Sequence, residues 1–314
     1  MDFNLRKATL SDIDAIMRII NDLRNRGLES WDEEYPNKTI IHDDICTGSV
    51  ILAYISRKTE QIIGTVTLTS QMYERALHEI KWLKETDEHI EIARLAVDPL
   101  FQEQGLGRIL FDHAFRSAIR QGARSVRLEV LYSEKSLIAM YERRGFLQRG
   151  SIWENHKEFL AMEYVTPDIA MLYSTKEQPN HEKIIAACHT IREEVFIVGQ
   201  NVPEEIDLDG KDIDFDHILL KFGDIIAGCV RLNTSQPDTV KLERLAVIER
   251  FRGYGFGKLL LERGIELCED KKISKITMHA QYYLKEYYEA SGFSAVGEPF
   301  YEADIKHIEM VHTE

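Results

Sequence analysis

The four residues RLAV stand at 94–97 and return at 244–247. Each copy leads through a phenylalanine, Phe101 or Phe251, into a glycine-rich stretch: FQEQGLGRIL at 101–110 and FRGYGFGKLL at 251–260. Further on, YERRGF at 141–146 is answered by YEASGF at 288–293. The first landmarks repeat 150 residues apart (94 to 244) and the last 147 apart (141 to 288), so the order is kept with a slip of three residues. Such repetition means two copies of one domain, the second with a shorter loop. A chain of 314 residues gives each copy enough length for a core of its own. The boundary is expected in YVTPDIAMLYSTKEQPNHEK, where Pro167 and Pro179 bracket a fresh strand, giving domains 1–167 and 168–314. MEYV (162–165) would close the first copy and IEMVH (308–312) the second.

Each copy reads as an α/β unit: strand, helices, strands, glycine turn, helix, strand, helix, strand. In SDIDAIMRII, Ser11 is placed to cap a helix whose apolar face is Ile13, Ile16, Met17 and Ile20. VILAYIS and QIIGTVTLT are β-rich, with Gly64 opening a hairpin or marking a bulge, and DHILLKF and IIAGCVRL repeat them in the second copy. The strand before the glycines is irregular in the same way twice. In IEIARLAV apolar residues fall at Ile90 and Ile92, then at Leu95 and Val97; in VKLERLAV at Val240 and Leu242, then at Leu245 and Val247. A phase slip of one residue is what a β-bulge produces, and a bulge leaves ladder groups unpaired. A strand buried on both faces would also alternate irregularly. Repetition of the slip favours the bulge.

The helices that follow carry apolar faces, with Ile109, Leu110, Ala114 and Ala118 in one copy and Leu259, Leu260, Leu267 and Cys268 in the other. The glycines therefore sit at helix N-termini, where backbone N–H groups lack helical partners and the helix dipole favours an anion. Bare glycine lets a bulky phosphate approach the backbone. Two phosphate-binding patterns fail. A P-loop needs G-x-x-x-x-G-K-[ST], and GYGFGKL is one residue short with Leu259 where a hydroxyl is required. A dinucleotide fingerprint needs a third glycine where Leu260 stands.

The pattern that fits is [QR]-x-x-G-x-G. It is written Gln102, Glu103, Gln104, Gly105, Leu106, Gly107 and then Arg108; and Arg252, Gly253, Tyr254, Gly255, Phe256, Gly257 and then Lys258. Joined to RLAV and Y-E-x-x-G-F, and doubled, it resembles the GNAT family of N-acetyltransferases in both halves. The second half is similar to a YjcF-like branch, through REEVFIVGQNVPEEIDLDGKD, HAQYYLKEYYEASGF and GEPFYEADIKHIEM. The resemblance implies two tandem GNAT-fold domains, each a mixed, mostly antiparallel sheet flanked by helices and splayed at its centre to admit coenzyme A. It implies acetyl-CoA as acyl donor and an amine of a small molecule or peptide as acceptor. The pyrophosphate would rest on the N–H groups of residues 102–108 and 252–258. The pantetheine arm would pair with Leu95, Ala96 and Val97 and with Leu245, Ala246 and Val247, whose N–H groups could also hold the oxyanion.

Acyl transfer to an amine has two proton problems. An alkylammonium near pKa 10.4 must lose its proton, at about 4–5 kcal/mol at pH 7 if nothing helps. A carboxylate acting directly or through water is the usual aid, and Glu91 and Glu243 on the two bulged strands are the candidates. They are not equivalent, since the 150-residue offset maps Glu91 to Lys241 and Glu243 to Ala93. The departing thiolate needs a donor, and Tyr141 and Tyr288 occupy the family's positions for it. Seven residues before each tyrosine, where the family often has an asparagine touching the donor, stand Glu134 and Gln281; Gln281 can replace an amide and an ionised Glu134 cannot. Two rivals stay open: one working domain supported by a worn copy, and a non-enzymatic acyl-CoA sensor on the same fold.

The remaining features set bounds. With 53 acidic against 39 basic residues the net charge is −14, which repels phosphate backbones, so nucleic acid is not an expected partner. No apolar run approaches the ~20 residues of a membrane span, and MDFNLRKATLSDID has no apolar signal-peptide core. Cys46, Cys188, Cys229 and Cys268 are too far apart for a zinc site or a disulfide framework and fit a reducing, cytoplasmic setting. EEIDLDGKDIDFD resembles a calcium loop in part, but Glu205, Asp212 and Asp216 depart from its pattern; no metal is expected, and the run reads as a wall for a cationic acceptor or as a solvated loop. ESWDEEYP (29–36) plays the same part in the first copy, and His279 and His307 could line the second pocket. The assembly considered is a homodimer.

Overall fold

A computed structural model describes residues 3–27, 30–56, 60–70, 80–154 and 156–313. The chain divides into two compact units, Met1–Thr166 and Pro167–Glu314.

Unit 1 runs β1 (Asn4–Lys7), α1 (Ile13–Asn25), α2 (Lys38–Cys46), β2 (Val50–Ser56), β3 (Glu60–Thr69), β4 (His89–Val97), α3 (Leu106–Arg120), β5 (Ser125–Leu131), α4 (Lys135–Glu142), β6 (Leu147–Glu154) and β7 (Lys157–Val165). Its seven strands are ordered β1-β2-β3-β4-β5-β7-β6. Among the described residues only β4 and β5 pair in parallel.

Unit 2 repeats the plan with β8 (Ile169–Ser174), α5 (His181–Arg192), α6 (Glu204–Asp207), β9 (Asp216–Phe222), β10 (Ile225–Gln236), β11 (Thr239–Val247), α7 (Phe256–Asp270), β12 (Lys275–Gln281), α8 (Lys285–Glu289), β13 (Ser294–Glu302) and β14 (Ile305–Thr313). The order is β13-β14-β12-β11-β10-β9-β8, with β11 and β12 the parallel pair. Each unit is thus the mixed, mostly antiparallel, helix-flanked sheet expected from the sequence.

The two faces of each sheet are covered by different helices. Ala96 packs with Ile16, Ile19, Ile20 and Leu23 of α1. A Cβ on Gly107 of α3 would meet the neighbours of Ala96, Val97 at 3.6 Å and Leu95 at 3.7 Å. Alternate residues of β4 therefore face α1 and α3 in turn. Unit 2 repeats this, with Gly264 of α7 against Leu242 and Gly228 of β10 against Leu260.

Three details differ from expectation. The turn before α1 is capped by Thr9, not Ser11: the Asp12 carboxylate accepts from the Thr9 N–H at 2.8 Å in a capping box. Each unit ends in two strands where one was expected, because β6 carries glycine and charge, β13 glycine, proline and charge, and neither has a clean apolar alternation. The three-residue slip falls within a helix. α4 and α8 start 150 residues apart, but Tyr141 is six residues past Lys135 and Tyr288 only three past Lys285. Gly64 sits beside a bulge, since Ala53 pairs with Gly64 and Tyr54 with Ile62.

Candidate active site

The central strand of each unit is bulged where the alternation slips. Thr65 pairs with Ala96 and Thr67 with Ala93; Cys229 pairs with Ala246 and Arg231 with Glu243. The extra residue lies at Arg94–Leu95 and at Arg244–Leu245. The two arginines take the left-handed backbone, φ 49° and 55°. A bulky residue there is held at a cost of about 1–3 kcal/mol, and ion pairs offset it. Arg94 donates to both carboxylate oxygens of Asp44 on α2, at 2.7 and 2.8 Å, and to the Tyr35 hydroxyl at 2.9 Å. Arg244 reaches the Asp207 carboxylate at 3.1 Å and the Ile206 carbonyl at 2.7 Å. The bulges are pinned to the helical walls of their units.

Beside each bulge the sheet opens. β4 is laddered to β5 only from His89 to Glu91, opposite Ser125 to Arg127, and β11 to β12 only from Thr239 to Lys241, opposite Lys275 to Thr277. Beyond these points residues 92–97 and 242–247 keep their antiparallel neighbour and lose the parallel one. The opened side is a backbone edge on which an extended chain with amide groups can pair.

The glycine turns stand at the end of that edge. Gly105 and Gly255 are helix N-caps with φ 79° and 87°, and Gly253 also has a positive φ, 86°. Its counterpart Glu103 takes the same conformation, φ 61°, without being glycine. The third glycine of the alternating set answers to crowding instead: a Cβ on Gly257 would lie 3.2 Å from the Tyr287 hydroxyl. The helical ladders begin at Ile109 N–H to Gly105 O and Leu259 N–H to Gly255 O, both 3.1 Å. The N–H groups of residues 106–108 and 256–258 lie ahead of them. Gln102 Nε2 donates to the Val97 carbonyl and Arg252 Nε to the Val247 carbonyl, each at 3.2 Å. The two residue types brace the turn alike, which is why glutamine replaces arginine at little cost. Buried Phe101 and Phe251 anchor the turns below.

Tyr141 packs on Phe111 of α3, ring centroids 4.9 Å apart, and burial pushes its phenol up to about 12. Tyr288 is 7% exposed, in edge contact with Tyr287 at 5.1 Å, and burial pushes it up further in the same direction. Both stay protonated, as hydrogen-bond donors must. Gln281 ends β12 and donates to the Gln200 side chain at 2.8 Å, whereas Glu134 lies past the end of β5 at the N-cap of α4. Counting back seven residues from the tyrosines does not give equivalent places.

The two candidate carboxylates differ in setting. Glu91 stands in register with Thr69 and Arg127, within electrostatic reach of Arg94 and Arg127. Glu243 accepts from Arg231 at 2.8 and 3.2 Å and lies 3.3 Å from Lys241 Nζ. Burial raises its pKa, but Arg231 and Lys241 together outweigh this and hold the carboxyl below its ordinary value. Its counterpart by register is Ala93.

Three aspartates of the acidic run 204–216 are paired with arginines from outside it. Arg192, buried to 1% exposure, binds Asp207 at 2.9 Å and Asp212 at 2.7 Å; Arg231 binds Asp209 twice at 2.8 Å and Asp212 at 3.1 Å. These aspartates are held by guanidinium groups, Arg231 among them on β10. No group of three or more His, Cys, Asp or Glu among the described residues is arranged to hold a metal.

Sequence reasoning missed Gln200, Tyr287, Lys241 and Glu302. Gln200 follows a six-residue π-helix, Glu193–Val198, and nothing in its local pattern shows that it spans to β12. In unit 1 the corresponding face differs. Leu83 and Lys84 donate backbone N–H groups to buried Glu163, Trp82 lies 4.3 Å over Arg127, and Ile80 and Trp82 pack on Ile152 and Ala161. Residues 80–84 thus cover the β5–β7–β6 face that unit 2 leaves to His279, Phe300 and Glu302. Of ESWDEEYP, Glu29 lies outside the described residues; Tyr35 is the part that meets Arg94.

Residues 15–146 match the model described as "Acetyltransferase (GNAT) family" and residues 180–314 that described as "Acetyltransferase (GNAT) domain". Protein ElaA of Escherichia coli is 35% identical over 121 residues, 37% of this chain and 78% of that protein. YjcF of Bacillus subtilis, an uncharacterized N-acetyltransferase, is 29% identical over 133 residues, 42% of this chain and 94% of that protein. A crystal structure of an acyl-CoA N-acyltransferase from Pseudomonas aeruginosa is 28% identical with a TM-score of 0.43, over 46% of this chain and 100% of its own.

Proposed function

Because this chain belongs to the GNAT family of acetyltransferases, as an N-acyltransferase that moves an acyl group from an acyl-CoA to an amine, we propose that its donor is acetyl-CoA and its acceptor a primary amine on a small molecule or peptide. The observation that carries this reading is the doubled pairing of an opened, bulged strand edge with a left-handed glycine turn. The edge at Leu95–Val97 or Leu245–Val247 suits the amides of a pantetheine arm. The helix N-termini at 106–108 and 256–258 suit a diphosphate, and the side chains of Arg108, Arg252 and Lys258 add positive charge. The bound donor supplies a thioester carbonyl as electrophile.

The chain's own groups would do the rest. Backbone N–H groups at the bulge stabilise negative charge on the acyl oxygen. Tyr288, and Tyr141 in unit 1, donate a hydrogen bond to the departing sulfur. With Tyr141 pushed up to about 12 and a thiol near 8.5, full proton transfer is uphill by about 5 kcal/mol, so the phenol keeps its proton. Glu243 contributes a fixed anion facing the cationic acceptor, and water beside it or Glu91 can take protons onward.

A second reading, transfer confined to unit 2, is favoured by the covering of the unit 1 face by residues 80–84 and by Ala93 in place of Glu243. The test is release of free coenzyme A from acetyl-CoA across a panel of primary amines. Turnover with at least one amine is expected, and Tyr288→Phe is expected to depress it while Tyr141→Phe does not if unit 2 alone works. No turnover with any amine, with acetyl-CoA bound, would favour a sensor.

A further inference from the structure

We infer that His279, oriented by Glu302, is the group that takes the proton from the acceptor amine in unit 2. The inference rests on the acyl transfer proposed above and assigns its base to a residue other than the strand carboxylates.

His279 is on β12, just past the point where β12 leaves β11. Its neighbours Met278 and Ala280 are buried, while His279 turns to the other face, 35% exposed at its side chain. The imidazole Nδ1 lies 3.0 Å from Glu302 Oε2. Glu302 is held at the end of β13 by a tight turn whose two residues, Ala303 and Asp304, both have positive φ, 47° and 61°. The hydrogen bond to His279 holds the Glu302 carboxyl down at about 2, so it stays an anion. A carboxylate at that distance fixes the N–H on Nδ1 and leaves Nε2 as the acceptor nitrogen. The Phe300 ring meets the imidazole edge at 4.8 Å and 75°, restricting its rotation. Among the described residues no hydrogen bond is made by Nε2.

The charged groups facing this imidazole come from three strands, β11, β13 and β14. Lys241 Nζ of β11 is 3.3 Å from Nδ1 and also 3.3 Å from Glu243. Glu302 is on β13, Glu309 of β14 is the cross-strand partner of His279, and His307 stacks on Phe300 at 6.1 Å. Lys241 therefore stands between Glu243 and the dyad, and with the N–H on Nδ1 it makes no hydrogen bond to that nitrogen. Glu243 itself is a poor proton acceptor, because its oxygens are committed to Arg231 and Lys241. Among the described residues of unit 1 there is no such dyad, since Glu129, opposite Ala161, occupies the place of His279.

The step balances with acyl-CoA and an ammonium as reactants. One ammonium proton moves to Nε2, and the freed nitrogen pair forms the C–N bond. The C–S bond breaks with its pair on sulfur. The second nitrogen proton ends on that sulfur through water, and the imidazolium returns its proton to solvent. The net products are an amide, a thiol and one proton.

The experiment uses the full chain, acetyl-CoA and the best amine from the panel. His279→Ala should lower kcat by 10²- to 10⁴-fold, abolish the acidic limb of the kcat/KM profile, leave acetyl-CoA affinity within twofold, and regain rate with added imidazole. Glu302→Gln should lower kcat about tenfold with acetyl-CoA affinity unchanged, because the carboxylate that orients the imidazole through Nδ1 is lost. Imidazole rescue separates a proton acceptor from a merely structural residue. An active parent whose His279→Ala variant keeps its rate and acidic limb, and does not respond to imidazole, overturns the base assignment alone. A folded parent that releases no coenzyme A with any amine overturns the transfer reading and the base with it.

Discussion

Replacing Tyr288 by phenylalanine removes one oxygen and keeps the ring. The ring is 7% exposed and packed against Tyr287 and Phe293, so its burial survives the change. The described residues provide the hydroxyl with no hydrogen bond, so no protein group is orphaned, and the melting temperature should stay within a degree or two. The catalytic effect is different. If the hydroxyl donates to a departing thiolate, the loss is that of a hydrogen bond to a charged group, about 1.5–3 kcal/mol, or roughly 10- to 150-fold in kcat. Because burial holds the phenol protonated, the loss should not vary between pH 6 and 9. The assay is coenzyme A release with a thiol reagent at saturating donor and amine, with donor affinity measured separately by calorimetry. A drop in kcat with unchanged affinity is expected. Unchanged kcat in a folded variant removes Tyr288 from the mechanism, and weakened affinity with unchanged kcat makes it a binding residue.

Gly228→Ala should damage fold and donor binding together. Its Cβ would lie 2.8 Å from the Ala246 carbonyl oxygen, 2.9 Å from Leu260 Cδ1 and 3.2 Å from Val247 Cγ2. Overpacking of this kind costs about 1–3 kcal/mol in urea unfolding, and the displaced β11 edge should raise KM for acetyl-CoA; an unchanged KM would mean that the edge does not hold the donor. Acid should weaken unit 2 in a defined window. Hydrogen bonds from Arg231 hold Asp209 at about 2, and that from His279 holds Glu302 at about 2, both below their unfolded values near 4. Their stabilisation is complete above about pH 4 and is lost as pH falls through about 2. Melts at pH 5 and pH 2.5 should differ, Arg231→Met should shrink the difference, and a flat profile would refute these pairings.

The slip in IEIARLAV and VKLERLAV was readable as a bulge because a strand's side chains alternate strictly, and one extra residue must move an apolar side chain to the wrong parity. Gly105, Gly253 and Gly255 were readable because positive φ penalises most other residues. What the bulge does with its arginine was not readable: Arg94 and Arg244 turn inward to Asp44 and Asp207, partners 50 and 37 residues away in the chain. The same holds for Arg231 and the acidic run, which looked like a solvated or cation-binding loop because local sequence does not reveal guanidinium groups arriving from another strand. β6 and β13 were missed because Gly150, Gly297 and Pro299 interrupt alternation on strands with weakly buried faces. Glu302 and Gln200 were invisible for a related reason, since each acquires a role only through a neighbour brought in by topology.

The central claim is that the two opened edges with their glycine turns each hold a donor, and calorimetric titration of the full chain with acetyl-CoA tests it most directly. Two sites per chain are expected, with Gly105→Val and Gly255→Val each removing one. A single site, or a stoichiometry that neither substitution changes, would contradict the claim.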